Sequence, residues 1–351
     1  MDEWSHWLIR SLAERAARDQ LFTAGELAIV GQDEPRSPDW WADKLAGSPA
    51  ADSIRRLAAS AAFAARTKPE HIEDAVEIVG HQEARHLVFA KLVERLFPSR
   101  GQEWLAVAPR WRHTLAVAAT SALLARLNRL PPGDSFVGGL LHDLGRHMLL
   151  EHGGRPYQRM GDGPQPLNAK ELAARERKHL GFDHAQLSAA IAARLGASPA
   201  ILSLLRDQLR LEALLLEVEE GPHLRRVAIL DMAESLTAGL GYGPTGPTLL
   251  ATDETQWTHT ALVLSESPAG QILGLSPRRL LHLKERLEPA IRQVFSVARG
   301  GEGTLWDAPG PLEKILGQST LHLPWALIPR LAWKGGDARR ARHAPSHAIL
   351  G

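Results

Sequence analysis

An all-α fold, a helical bundle of two lobes, is what this sequence predicts, and three observations predict it. Ala, Leu, Arg and Glu dominate the composition, while Tyr occurs twice in 351 residues. Few segments alternate apolar with polar residues as half-buried strands do, whereas apolar residues recur at spacings of three and four. Gly- and Pro-rich breaks then fall at intervals of a helix length. With 351 residues and 44% hydrophobic content, the chain can bury one large core or two smaller ones.

The elements follow in order. Trp4, Leu8, Leu12 and Ala16 share a stripe, and Gly31 to Pro38 reads as a break, so residues 1–38 are expected to form a separate helical arm. Helical runs follow over 53–66, 71–80 and 82–97, then a longer one from Trp111 to Leu130 with His113, Val117, Thr120, Leu124 and Leu127 on one face. Pro131-Pro132-Gly133-Asp134 stops it, and Asp134 or Ser135 is expected to cap the next helix, which carries His142. The stretch from His152 to Asn168 reads as a loop long enough to be a lid or a flap. Helices resume over 169–179, 184–196, 199–217, 222–240 and 277–298, and residues 299–351 read as a largely unstructured tail.

Composition excludes several function classes. Without cysteine there are no disulfides, thiolate metal sites, iron–sulfur clusters or cysteine nucleophiles, so a metal could use only His, Asp, Glu or backbone oxygen. A formal net charge of +1 gives no whole-chain field for nucleic acid or anionic lipid, and the basic run from Lys334 to His343 reads as a solvated tail. The ten tryptophans are mostly ascribed to core packing. The start lacks the apolar core of a signal peptide, and no stretch reaches the roughly 18 to 20 apolar residues of a membrane span. A cytoplasmic protein is the expectation.

The sharpest chemical signal is His113 on one helix and the pair His142-Asp143 on the next, with further acidic or His residues on later helices. Imidazole with carboxylate suits a divalent metal, which lowers the pKa of a bound water and so allows phosphoester hydrolysis. Neighbouring residues of a regular helix point about 100° apart, so His142 and Asp143 are not expected to share a face. Spacing alone leaves a solvated or simply hydrogen-bonded pair as the plainer reading. The setting distinguishes this dipeptide: small Gly138 and Gly139 before it, and Leu144-Gly145 after it, let another helix approach closely.

Several blocks, in order, resemble the HDOD domains, bacterial signalling relatives of the HD and HD-GYP metal-dependent phosphohydrolases. Phe136-Val137-Gly138-Gly139-Leu140-Leu141-His142-Asp143-Leu144-Gly145 is similar to the family's "A-F-x-A-G-L-L-H-D-I-G", and Trp111-Arg112-His113 to its "W-x-H". Arg56 to Phe63, containing Ser60, resembles "R-L-A-N-S-A-x-F", and Ile72 to Gly80 resembles "S-I-x-x-A-I-x-x-L-G". Glu176 to Ala185, with His184, is similar to "E-x-x-x-x-G-x-D-H-A", Leu230 to Leu236 to "h-x-A-D-x-L-A", and Leu273 to Ser276 to the lead-in of the closing helix. The resemblance spans roughly 40–297.

It implies one HDOD domain over 39–298, with an N-terminal lobe over 39–108, an HD-like lobe over 109–298 and the site in the groove between them. The departures bear on activity. Where catalytic HD relatives place a last metal-binding Asp, this chain has Glu234, with Asp231 one turn earlier. Gln208-Leu209 stands where HDOD members often carry a His-His pair; Ala59 replaces an Asn, Ser188 a Gly and Leu195 a Trp. Arg146 stands where HD-GYP proteins have a phosphate-neutralising Lys, although pairing with Asp143 or Glu151 is the plainer role. Gly241-Tyr242-Gly243-Pro244 comes at the wrong place for the HD-GYP signature and reads as a loop, and His147, His152 and His179 read as solvated or loop residues.

The expectation is therefore a non-enzymatic signalling or scaffolding protein with a degenerate HD site, no expected cofactor, and signalling proteins or a small nucleotide as partners. The alternative is a phosphohydrolase of a nucleotide or cyclic dinucleotide, holding Mn, Fe or Mg through His113, His142, Asp143 and Glu234 or Asp231. Gly138, Gly139, Gly145, Arg146, His184 and Ser60 would line the pocket or carry the motif. Nucleic acid is not an expected partner.

Overall fold

The computed structural model describes residues 6–11, 14, 24–30, 36–59, 69–95, 101–153, 157, 160, 168–217, 221–243 and 254–298. Its first helices are α1 (Ala24–Val30), α2 (Pro38–Leu45), α3 (Pro49–Ala58), α4 (Ile72–Val79) and α5 (His81–Arg95). Helix α2 was not expected. Pro38 fits its first turn, where no backbone donor is needed, and Ser37 Oγ accepts from Trp40 N at 3.4 Å. Trp41 and Leu45 from α2, Ile54 from α3, Val76 from α4 and Leu92 from α5 are buried together in the core.

Part of the supposed arm is tied into this group rather than standing apart. Helix α1 packs on α2 and α5, and its Glu26, wholly buried, accepts from Arg95 at 2.9 and 2.6 Å and from Ser48 Oγ. A buried carboxylate needs such partners. Ser60 and the tail over 299–351 lie outside the described residues, as does most of the 153–168 segment.

Helix α6 (Gly101–Leu127) begins upstream of the expected Trp111. Against it pack α7 (Pro132–Leu141), α13 (Pro222–Gly239) and α16 (Pro277–Ala298). The cap of α7 is Pro131 and neither Asp134 nor Ser135, which lie inside the first helical turns. A Cβ on Gly139 would lie 2.7 Å from Ala118 Cα, so α6 and α7 meet backbone to backbone at this point. Helices α8 (Leu144–His152), α9 (Ala169–Leu180), α10 (His184–Arg194) and α11 (Pro199–Asp207) follow, with α10 packed on α8 and α11.

The expected helix over 199–217 is two, α11 and α12 (Leu211–Glu217), separated by a turn in which Arg210 N donates to Asp207 O at 2.8 Å. Helices α14 (Glu254–Glu266) and α15 (Pro268–Ile272) occupy a region where none was expected. No described helix is long and apolar enough to cross a membrane.

The two groups of helices share one continuous core, and His86 of α5 is a contact between them. A Cβ on Gly133, in the first turn of α7, would come within 1.9 Å of the His86 ring. Burial, with a smaller push from Arg85, lowers the His86 pKa from 6.5 to about 3, so the folded protein holds it neutral. The unfolded chain takes up a proton as pH falls below 6.5 and the folded chain does not, so this contribution to stability is lost between 6.5 and about 3. Urea midpoints should therefore fall between about pH 7.5 and pH 5, and less steeply in His86→Gln; parallel pH profiles would contradict this.

Candidate functional site

The site lies inside the second group of helices, not in a groove between two lobes. His113 comes from the middle of α6, and His142 and Asp143 occupy the junction where α7 ends at Leu141 and α8 begins at Leu144. Asp143 has φ −99° and ψ 5°, outside helical geometry. This break removes the objection that adjacent helical residues diverge. One ligand atom from each of His113, His142 and Asp143 lies within 4.8 Å of the other two, and the three residues are buried.

The break exposes backbone groups that a continuous helix would pair, and neighbouring side chains pair them instead. Gly145 N donates to Ser188 Oγ at 2.8 Å, and Ser188 Oγ donates to His142 O at 2.9 Å. Gln208 Nε2 donates to the same carbonyl at 3.0 Å. A Cβ on Gly145 would lie 2.1 Å from His184 O, so only glycine lets α8 come this close to α10. Gly138 lies against the Leu204 side chain, its Cβ position 2.4 Å from Leu204 Cδ2.

Each imidazole is oriented by a carbonyl. His113 Nδ1 donates to Tyr242 O at 2.8 Å, and His142 Nδ1 donates to Gly139 O at 2.6 Å. Carbonyls only accept, so both Nδ1 atoms carry hydrogen and both neutral rings present a bare Nε2. These two nitrogens face each other at 3.3 Å, with the ring planes 67° apart. Burial pushes both imidazole pKa values down, with His142 adding to the effect on His113.

The carboxylates divide by environment. Burial would raise the Asp143 pKa, but His142, Arg146, His113 and His184 together hold it below the usual range. Glu234 Oε1 stands 3.5 Å from His142 Nε2, and burial together with Asp143 raises its pKa to about 7. Asp231 is not part of the His113–His142–Asp143 group: Lys170 and Glu212 act on its charge, its pKa is raised mainly by burial, and its own charge adds to the rise at Glu234. Arg146 lies 3.8 Å from Asp143, a long ion pair in the expected direction.

His184 belongs to a second cluster. Gly181, in the left-handed conformation at φ 76°, ends α9, and Asp183 caps α10 by accepting from Gln186 N at 2.9 Å. This tight turn sets His184 beside Glu176, whose Oε2 accepts from His184 Nδ1 at 2.7 Å and His184 N at 2.8 Å. Tyr157 Oη donates to the other oxygen at 2.5 Å. Burial opposes charge on both partners, but their hydrogen bond prevails, raising the His184 pKa and lowering that of Glu176. Asp143 adds to the rise at His184, which places this pair electrostatically within reach of the first cluster.

Sequence reasoning missed Tyr157, Tyr242, Gln208 and Glu176 as contributors. Tyr157 lay in a presumed loop, and Tyr242 acts through its backbone, which no side-chain pattern marks. Gln208 was visible only as a departure from the family pattern. His147 is buried in α8 rather than solvated.

An all-α chain in which a His meets a His-Asp pair at a helix junction has the architecture of HD-type helical proteins. Residues 51–208 match the HDOD domain. Its fold is similar to an HDOD domain protein with unknown function from Geobacter sulfurreducens, with a TM-score of 0.59 at 20% identity over 83% of this chain and 99% of that one. A provisionally named phosphohydrolase from Shewanella amazonensis SB2B gives 0.57 at 20% identity, covering 82% and 96%. A provisionally named signal transduction protein from Marinobacter aquaeolei VT8 gives 0.53 at 15%, covering 84% and 65%. At these identities the likeness is one of fold. No curated protein matches the chain.

Ser188 bridges both sides of the helix break, so Ser188→Ala should leave Gly145 N–H unpaired in the interior. A loss of about 1 to 3 kcal/mol of stability is expected in urea unfolding. An unchanged midpoint would show that the bridge does not hold the junction.

Proposed function

We propose that this chain is a non-enzymatic HDOD signalling module whose HD cluster binds one divalent ion but is not equipped for hydrolysis. The observation that carries the reading is the orientation of Gln208. At the position where the family resemblance places paired imidazoles, its amide Nε2 is spent on the His142 carbonyl, and an amide supplies no base. Ser188 is likewise committed to the backbone.

The residues present fit a metal. Two bare Nε2 atoms 3.3 Å apart, buried where protonation is disfavoured, repel unless a cation lies between them, and Asp143 supplies the charge to hold one. His113, His142 and Asp143 would ligate, with Glu234 next to them, a nitrogen and oxygen set suited to Mn, Fe or Zn. A divalent ion there would acidify a bound water and polarise a phosphoryl oxygen. The chain's own contribution is to orient both rings through Tyr242 O and Gly139 O and to keep Asp143 ionised.

The second reading is a metal-dependent phosphohydrolase acting on a nucleotide or cyclic dinucleotide. It is favoured by Glu234, whose pKa of about 7 suits a group that holds and releases a proton beside His142.

Protein purified without chelator should contain about one equivalent of Mn, Fe or Zn. The ion should be absent from the double variant His142→Ala with Asp143→Ala. Neither protein should hydrolyse cyclic dinucleotides or a generic phosphodiester. Turnover in the native protein that vanishes in the variant would establish the hydrolase, and metal that persists in the variant would remove the cluster from the account.

A further inference from the structure

Helix α12 packs on α13 and α15 and buries Leu211 and Leu214. Its next two leucines are left outside that contact: Leu215 is 41% exposed and Leu216 91%. Acidic residues flank them. Glu212 precedes Leu216 by one turn and so shares its face, and Glu217 follows directly. Glu212 accepts from Lys170 at 2.9 Å, and Glu217 accepts from Arg210 at 3.0 and 2.8 Å. An ionised carboxylate has about four acceptor sites, so each keeps capacity for a further donor. Over 207–220 the sequence carries five acidic residues, Asp207, Glu212, Glu217, Glu219 and Glu220, against the single base Arg210. An exposed leucine pair therefore sits in a negative field.

The C-terminal tail has the opposite pattern. Leu321 to Trp333 holds seven large apolar residues. From Arg330 to Arg342 there are five basic residues against the single acid Asp337. In both segments an apolar stretch runs into a charged one, and the charges are opposite in sign.

We infer that α12 is a docking surface for the tail of its own chain, with residues 321–333 covering Leu215 and Leu216 and the following basic residues meeting the acidic rim. The inference does not depend on a metal or on the activity of the HD cluster.

Charge decides between the exposed apolar patches. Leu262 and Val263 of α14 are also exposed, at 48% and 54%, but the only acids of that helix are Glu254 and Glu266 at its two ends. Reach is sufficient, because residues 299–320 span up to roughly 70 Å when extended. A compact domain of about 300 residues has a radius of gyration of only about 19 Å. Being tethered also favours the chain's own tail over that of a second copy, since a linker gives an effective concentration on the order of millimolar.

Zero-length carbodiimide cross-linking of the full chain tests this, because the reagent joins a carboxylate directly to a lysine amine and Lys334 is the single lysine of residues 321–343. An equal mixture of nitrogen-15-labelled and unlabelled protein separates links within a chain from links between chains. Lys170 to Glu212 serves as the internal standard. Lys334 should join Glu212, Glu217, Glu219 or Glu220, in peptides of one label only. Leu216→Ser should at least about halve that yield relative to the standard, and Leu215→Ser with Leu216→Ser should lower it about fivefold or more. Leu262→Ser with Val263→Ser should leave it unchanged, and 1 M salt should reduce it.

Mixed-label peptides would make a second copy the occupant and overturn the inference. Lys334 that links to carboxylates elsewhere, or to none, would take the tail off α12. A yield that survives the double leucine variant, or one that falls equally in the α14 variant, would remove Leu215 and Leu216 as the anchor and overturn it as well.

Discussion

Between Leu141 and Leu144 the helical hydrogen-bond ladder is interrupted, and the released backbone groups are taken over by Ser188 and Gln208. An unpaired donor or acceptor in this buried place costs about 1 to 3 kcal/mol, so the junction exists only because α10 and α11 bring those partners to it. That approach depends in turn on Gly145, whose missing side chain lets α8 touch the α10 backbone. The departure from regular helix lets His142 and Asp143 turn toward His113 together.

Orientation then sets chemistry. Tyr242 O and Gly139 O each take an Nδ1 hydrogen, so the remaining nitrogens meet without one. Burial resists adding a proton there, while Asp143 stays ionised a few ångströms away. The neighbouring Glu176–His184 pair satisfies itself and is capped by Tyr157. Two buried polar clusters thus lie side by side, one internally neutralised and one with nitrogen lone pairs still to be met.

Much of the fold was legible because caps and periodicity agree with tertiary packing, as at α4, α5, α9, α10 and α13. Helix α2 was hidden in a segment whose prolines read as a break, although Ser37-Pro38 is itself a starting signal. Helix α14 carries Thr and Val, which weaken its helical signature, and Trp257 supplies packing that the local sequence does not announce. His113, His142 and Asp143 were found from residue type and motif setting. Their convergence was not, because it depends on a helix break that the small residues around the motif permit but do not specify. Backbone contributors such as Tyr242 O leave no sequence pattern to find.

Nitrogen-detected NMR of the histidine rings tests the central claim most directly, because it reports which nitrogen carries hydrogen. With zinc added to the full chain, His113 and His142 should both keep hydrogen on Nδ1 and show metal-shifted Nε2 resonances. Zinc that leaves both Nε2 resonances unmoved, or a hydrogen found on Nε2 of either ring, would contradict the account.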